Sequence, residues 1–252
     1  AFKAVGDSTQ KPLEYYANNL DTTFALLRVG LAHGIRSFVF SSTGTVYSDP
    51  ADLPFTEEST TSVDLSNAYS KSKRMNEVVL ADVARVNPDV NVTVLRYFNP
   101  VGAHTSGLIG EDPTGIPNNL MPYVSRVAIG ALERIGVFGD DYDTPDGTCV
   151  RDFIHVADVA DAHLAVLDAL PRQREPHRVF NVGTGVGTSV RQIVDGVRSR
   201  LHADAEPLVM GRRPGDPPRV VASVDRIHHE LGWRAKYSLD DILDSACGLV
   251  VS

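Results

Sequence analysis

At 252 residues the chain is long enough for one large domain or two small ones, with a real core. Its 42% hydrophobic and 22% charged content is that of an ordinary globular protein, and a net charge of −8 argues against a nucleic-acid surface as its main business. Two cysteines, Cys149 and Cys247, give no disulfide framework and point to a reducing, cytoplasmic setting, and no apolar run approaches the roughly 18 residues that cross a bilayer.

The chain opens at Ala1-Phe2-Lys3, without an initiator methionine or a visible signal peptide, so the expectation is a piece of a longer protein. Pro12 begins a periodic stretch over 13–32, with Leu20, Phe24, Leu27 and Leu31 at helical spacing, ended by Gly34. Residues 37–41 form a nearly continuous apolar run, which suits a strand of a parallel sheet covered on both faces. Pro50 and Pro54 mark a loop, and Asn67 is a candidate cap for a helix over 68–86. Residues 91–97 read as a strand. From 99 to 119 the texture turns to Gly, Pro, Asn and Thr, a long loop of the functional kind. Further helices are expected over 120–132, 156–170, 189–201, 225–231 and 239–250, and strands over 135–138, 178–182 and 208–210. This alternation indicates an α/β fold with parallel strands.

Tyr69 and Lys73 are four residues apart on the helix expected over 68–86, so phenol and ammonium share a face. A nearby cation favours phenolate, which makes a tyrosine usable as a base. The hydroxyl run Ser41-Ser42-Thr43 can supply a second hydrogen bond to the same substrate oxygen.

Other features have blander readings. Gly183-Thr184-Gly185-Val186-Gly187 sits between strand and helix as a dinucleotide loop should. Its third glycine would be due at Thr188, and no acidic strand end follows about 20 residues later, so a structural turn is favoured. Residues 141–147 resemble the opening of a calcium loop, but the later ligands fall out of register and no glutamate closes it. The eight histidines show no metal-ligand spacing. Arg151 and Arg213 are candidates for a bidentate diphosphate clamp, although composition alone favours surface charge.

Longer strings point one way: Lys3-Ala4-Val5-Gly6-Asp7-Ser8, Pro12-Leu13-Glu14-Tyr15-Tyr16-Ala17-Asn18-Asn19, and Tyr69-Ser70-Lys71-Ser72-Lys73. Residues 96–104 (from Arg96-Tyr97-Phe98-Asn99-Pro100), 110–113, 115–122, 146–148 and 150–152 complete the set. Together they resemble the UDP-glucose 4-epimerase family of extended short-chain dehydrogenases/reductases along essentially the whole chain.

The resemblance implies a Rossmann-like, doubly wound parallel sheet whose N-terminal strands and Gly-x-x-Gly-x-x-Gly loop would precede Ala1, with a smaller C-terminal α/β substrate domain. Residues 1–99, joined by 150–170, would be the remainder of the NAD-binding domain, and 100–252 mainly the UDP-sugar domain. Lacking the glycine loop, residues 1–252 alone are expected to hold NAD poorly and to expose a raw sheet edge. Tight retention of NAD would contradict this.

The resemblance also assigns roles. Tyr69 takes the proton of the sugar 4-hydroxyl, Lys73 holds the nicotinamide ribose and lowers the tyrosine, and Thr43 hydrogen-bonds the same hydroxyl. Bringing a tyrosine towards neutrality is a differential of roughly 4 kcal/mol. Lys3, Asn18, Ser41, Ser42 and Tyr97 fall at cofactor positions. Phe98, Asn99, Asn118, Asn119, Leu120, Phe138, Arg151, Arg213, Asp216 and Val220 fall around UDP-glucose or UDP-galactose. Helices 13–32 and 68–86 would form a homodimer interface.

Gly44-Thr45 depart from the family's usual Ala-Thr context, but Thr43 retains its hydroxyl. Val220 stands where some members carry a bulky tyrosine, so N-acetylated UDP-sugars are an expectation, which undetectable turnover of UDP-GlcNAc would contradict. The alternatives are a dehydratase, disfavoured because no Asp-Glu pair follows the threonine, and a non-catalytic sugar-nucleotide binder or inactive fragment.

Overall fold

The computed structural model describes residues 1–111, 115, 117, 119–203, 206–213 and 216–251. In chain order the elements begin with α1 (Val5–Gln10), α2 (Pro12–Ala32), β1 (Ser37–Thr43), α3 (Ala68–Val86), β2 (Asn91–Tyr97) and β3 (Asn99–Val101). There follow α4 (Leu120–Ala128), β4 (Gly136–Phe138), β5 (Val150–Arg151), β6 (Phe153–His155), α5 (Val156–Ala169), β7 (His177–Val182) and β8 (Thr188–Ser189). The last are α6 (Val190–Arg200), β9 (Leu208–Met210), β10 (Arg219–Val220), α7 (Asp225–Leu231) and α8 (Leu239–Val251). The expected α/β class with parallel pairing is what the chain adopts.

The chain divides into two compact units. The first comprises Ala1–Tyr97, Ala162–Val182 and Ser223–Trp233. Its parallel sheet has the order β1-β2-β7, and β2 is central. Central position explains the sequence of β2: both faces are covered, so Val92, Val94 and Leu95 are all fully buried. Each such burial stabilises by roughly 1.5–3 kcal/mol. Leu27 of α2 and Leu80 and Ala84 of α3 pack on these valines, with Phe38, Phe40 and Val179 at the margin.

Asn67 caps α3 as expected, accepting Ser70 N–H at 2.8 Å. Along α3 the buried positions include Lys73, Asn76, Glu77, Leu80 and Ala84, at helical spacing. Three of these five are polar, so this face does more than fill a core. Asn19 of α2 ties the two helices together, donating to Ser72 Oγ at 2.9 Å while its carbonyl accepts from Asn76 Nδ2 at 3.1 Å.

The second unit comprises Phe98–Asp161, Gly183–Ala222 and Arg234–Ser252. It contains the short parallel pairs β3–β6 and β4–β9, and a three-stranded sheet β10-β5-β8 in which β8 is antiparallel. Helices α4, α6 and α8 share one core, built on Met121, Val124, Ile193, Val197, Ile242 and Leu243 with Ile135 and Val137. Helix α4 stops four residues before the expected end. Gly130, at φ +77°, donates to Val127 O, and Ala131 donates to Arg126 O. This paired closure on a left-handed glycine terminates the helix where apolar periodicity alone would continue it.

The expected loop from 99 onwards begins instead with β3. Gly102 follows it at φ +87°, where a Cβ would lie 2.9 Å from Ser245 Oγ and 3.0 Å from His155 Cδ2. Glycine is required there by both conformation and space. His155 is fully buried, accepts Ala157 N–H at Nδ1, pairs Nε2 with Ser245 Oγ at 3.1 Å and stacks on Tyr237. No helix among the described residues is long and apolar enough to cross a membrane.

Candidate active site

The carboxyl ends of parallel strands are where open α/β sheets place ligands. In the first unit those of β1 and β2 bring Thr43 opposite Tyr97 in the parallel register. Ser41 Oγ and Tyr97 OH are 3.0 Å apart, and Tyr97 OH lies 2.6 Å from His163 Nε2. Burial pushes the Tyr97 phenol up, and the Ser41 hydroxyl opposes this. Thr43 opens a short 3-10 turn, its Oγ1 accepting Thr45 N–H at 3.2 Å. Ser70 Oγ in turn donates to Thr45 Oγ1 at 2.7 Å, which fixes the start of α3 against this turn.

Tyr69 is half-buried in the first turn of α3. Burial pushes its phenol up, and a hydrogen bond to the Thr43 side chain pulls it back. Lys73 Nζ donates to the Ser41 carbonyl at 2.7 Å and lies 4.9 Å from the centre of the Phe40 ring. Burial lowers its pKa to about 8, with the Glu77 charge opposing. The expected lowering of Tyr69 by Lys73 is therefore not what moves the phenol here: burial dominates, and Thr43 is the group that counters it. Thr43, Tyr69 and Lys73 nevertheless occupy one neighbourhood, as the sequence expected.

Ser42 differs from its neighbours. It is 3% exposed and gives its hydroxyl to Glu77 Oε1 at 2.5 Å, so its side chain faces the interior and is not offered to a cofactor as the sequence expected. Asn18 is half-buried and donates to Asn19 Oδ1 at 3.0 Å, and Lys3 is exposed just before α1.

In the second unit, Arg151 and Val220 lie in adjacent strands, with Val220 directly opposite Arg151. Arg151 Nη2 meets Asp216 Oδ1 at 2.5 Å. The Arg213 guanidinium lies over the Phe138 ring at 3.7 Å. Arg151, Arg213, Phe138, Asp216 and Val220 thus fall on β4, β5, β10 and the loop preceding β10. Asn99 begins β3, and its N–H donates to Asp152 O at 3.0 Å. Phe98 is buried. Exposed Asn119 precedes α4 and donates to Glu111 Oε1 at 2.6 Å, with Leu120 half-buried beside it. Asn118 lies outside the described residues.

The glycine-rich segment after β7 is a structural turn. Asp152, fully buried, accepts Thr184 N–H at 2.8 Å, Thr184 Oγ1 at 2.7 Å, Gly185 N–H at 3.0 Å and Ala222 N–H at 3.2 Å. Burial raises this carboxyl while these donors pull it down. In the calcium-like segment, Asp146 takes Thr148 N–H, Thr148 Oγ1 and Ser189 Oγ, and Asp141 pairs with Arg212.

Residues 1–183 match the model of the NAD dependent epimerase/dehydratase family. The UDP-glucose 4-epimerase of Caenorhabditis elegans is 48% identical over 243 residues, covering 96% of this chain and 70% of that protein. That of Mus musculus is 50% identical over 238 residues, covering 94% of this chain and 68% of that protein. The chain belongs to the NAD-dependent epimerase/dehydratase family. Among solved family members, UDP-glucose 4-epimerase from Bifidobacterium longum, in complex with NAD+ and UDP, superposes with a TM-score of 0.94 at 46% identity. That likeness covers 100% of this chain and 74% of the other.

Residue reasoning missed several members of these clusters. His163 was one of eight scattered histidines, and only the fold brings it to Tyr97. Glu77 carried a readable signal: it lies four residues beyond Lys73 on the same helical face. Arg96 carried another, a charge near the end of an apolar strand, which demands a buried acid. Arg96 and Asp152 lie within the strings shared with the epimerase family, and the fold supplies their partners, Glu77 and the turn at Thr184.

Proposed function

We propose that the chain interconverts UDP-glucose and UDP-galactose by oxidation and re-reduction at carbon 4 of the sugar, with NAD as cofactor. The observation that carries this is the Tyr69 phenol, sensitive to the Thr43 side chain, one helical turn from a buried Lys73 that is itself tied to the strand end. The relatives named UDP-glucose 4-epimerase, and the Bifidobacterium longum structure with NAD+ and UDP, support it.

The residues present fit NAD. Lys73, 8% exposed, is an ammonium that donates to the Ser41 carbonyl near the end of β1, and the Ser41 and Tyr97 hydroxyls pair with each other at the ends of β1 and β2, polar groups suited to a ribose. Lys73, Ser41 and Tyr97 would hold the cofactor in the first unit, with Asn18 and Lys3 as further candidates. When bound, NAD accepts and returns a hydride at the sugar. Tyr69 would exchange the proton of the 4-hydroxyl, and the Thr43 hydroxyl would orient it. The second unit would hold UDP, with Phe138 and Arg213 offering a flat cationic face and Arg151, aligned by Asp216, offering a second cation. Asn99, Asn119, Leu120 and Val220 would complete it. Fixing this remote group lets the sugar turn over without escaping.

A homodimer through α2 and α3 is part of the proposal. Leu13, Leu26 and Val29 of α2 and Val78 of α3 are exposed at 79%, 65%, 59% and 41%, apolar surface that a partner could cover. Sedimentation of wild type against Leu26→Glu tests it, and a monomeric wild type would sink it. Free, buried Cys149 and Cys247 support a reducing, cytoplasmic setting.

The decisive assay is turnover of UDP-galactose to UDP-glucose by wild type and Tyr69→Phe. Loss of about 10²-fold or more in kcat is expected. Full activity in the phenylalanine variant would remove Tyr69 from the chemistry. The relatives named above do not favour the N-acetylated-sugar or non-catalytic readings.

A further inference from the structure

Glu77 is 1% exposed and its two oxygens take four donors. Oε1 accepts Ser42 Oγ at 2.5 Å and Arg96 Nε at 3.0 Å. Oε2 accepts Arg96 Nη2 at 2.8 Å and Arg74 Nη1 at 3.1 Å. Arg96 is 4% exposed, so the pair is removed from water. Such a pair is a poor source of stability, because well-packed apolar residues of the same volume do as well. Its place in the chain explains it better. Ser42 immediately precedes Thr43, Arg96 immediately precedes Tyr97, and Glu77 lies one turn beyond Lys73. Every group it joins from the sheet is the chain neighbour of a site residue.

Resting on the reading that Thr43, Tyr69 and Lys73 catalyse, we propose that Glu77 is a positioning residue for that site. Through Ser42 and Arg96 it fixes the ends of β1 and β2 that carry Thr43 and Tyr97, and it sets a buried carboxylate one helical turn from the Lys73 ammonium.

The surroundings of Lys73 support this. From β1 it meets the Ser41 carbonyl and the Phe40 ring, and the charge of Glu77, one turn along its own helix, acts on it. Beyond Glu77 stand Arg74 and Arg96, then Tyr47, whose hydroxyl takes Arg96 Nη1 at 3.0 Å, and His177 of β7. The charge of Tyr15 of α2 acts on Tyr69, and at the strand end Tyr97 pairs with His163. Glu77 is the acid that acts on Lys73, and it works against the lowering that burial imposes.

The test follows Lys73 by NMR in protein carrying 13C-lysine, alongside kcat and KM for UDP-galactose across about pH 6–10, in NAD-loaded enzyme. The variants are Glu77→Gln, Ser42→Ala and Tyr69→Phe. In Glu77→Gln the Lys73 midpoint is expected to fall by about one pH unit. Its kcat at neutral pH should fall at least about tenfold, with the alkaline limb moved towards acid and KM little changed. Ser42→Ala should lower kcat and leave the Lys73 midpoint in place. Because it keeps the ion pair, it carries the test even where Glu77→Gln does not fold. A Lys73 midpoint unmoved in folded Glu77→Gln, or wild-type kcat in Ser42→Ala, overturns the proposal. Tyr69→Phe separates the failures: an active variant sinks the catalytic reading, whereas an inactive one beside an unmoved Lys73 sinks only the role of Glu77.

Discussion

Lys73 Nζ donates to the Ser41 carbonyl at 2.7 Å, so the helix that carries Tyr69 is pinned to the strand that carries Thr43. The ammonium reaches this acceptor only by leaving water, and burial lowers its pKa from 10.5 to about 8.

That shift has a stability consequence whose sign is fixed. The native pKa lies below the unfolded one, so between about pH 8 and 10.5 the unfolded chain binds more protons and stability gains with rising pH. Lys73→Met removes this contribution. Urea unfolding of wild type and variant at several pH values should show wild type gaining on the variant across that window. Parallel curves would contradict it. The variant should also lose about 10²-fold or more in kcat.

Asp152→Asn keeps shape and removes charge. Its amide nitrogen cannot accept, so some of the four donors on the carboxylate lose their partner. A loss of about 2–4 kcal/mol by chemical denaturation is expected, since Asp152 and Ala222 are buried and Thr184 is half-buried. A change below about 0.5 kcal/mol would show that the turn holds itself.

Gly130→Ala and Gly102→Ala should differ. At Gly130 a Cβ meets nothing within 4 Å, so only the left-handed backbone is strained, at about 1 kcal/mol. At Gly102 the same strain is joined by the close approach of Ser245 and His155, and a cost at least about 1 kcal/mol larger is expected. Equal melting temperatures in the two variants would refute the crowding argument.

His155 sets an acid limit. Burial lowers its pKa below 6.5, while Asp158 and Asp241 raise it and His104 lowers it. As pH falls through 6.5 the unfolded chain takes the proton first, so native stability falls between 6.5 and the lower folded value. Protonated Nδ1 also no longer accepts Ala157 N–H. His155→Phe keeps a ring against Tyr237 and should flatten the fall of melting temperature between about pH 6.5 and 5. An unchanged slope would place the acid sensitivity elsewhere.

The sequence was legible where one local pattern settles the matter. Asn67 as a cap, the span of α3, the run of β2 and the pairing of Tyr69 with Lys73 all rest on residues within a few positions of each other. Strands β3, β5, β8 and β10 were not legible, since two or three residues carry no period. Their partners are distant: Asn99 pairs with Phe153, and Val150 with Arg219. The helix α1 preceding Pro12 is only six residues long and was missed for a related reason. In the site, the identity of the cluster was readable but its electrostatics were not. Burial raises Tyr69, the Thr43 side chain rather than a cation opposes it, and burial belongs to the fold rather than to spacing.

The glycine-rich turn at 183–187 illustrates how a motif can be filled from within. Successive backbone N–H groups there form a cup of the sort that grips phosphate, and the anion in it is the chain's own Asp152. Its ligand is tethered, so the turn keeps its shape at any concentration of nucleotide, and its stability is not linked to cofactor supply. A competing phosphate would have to displace a covalently attached carboxylate.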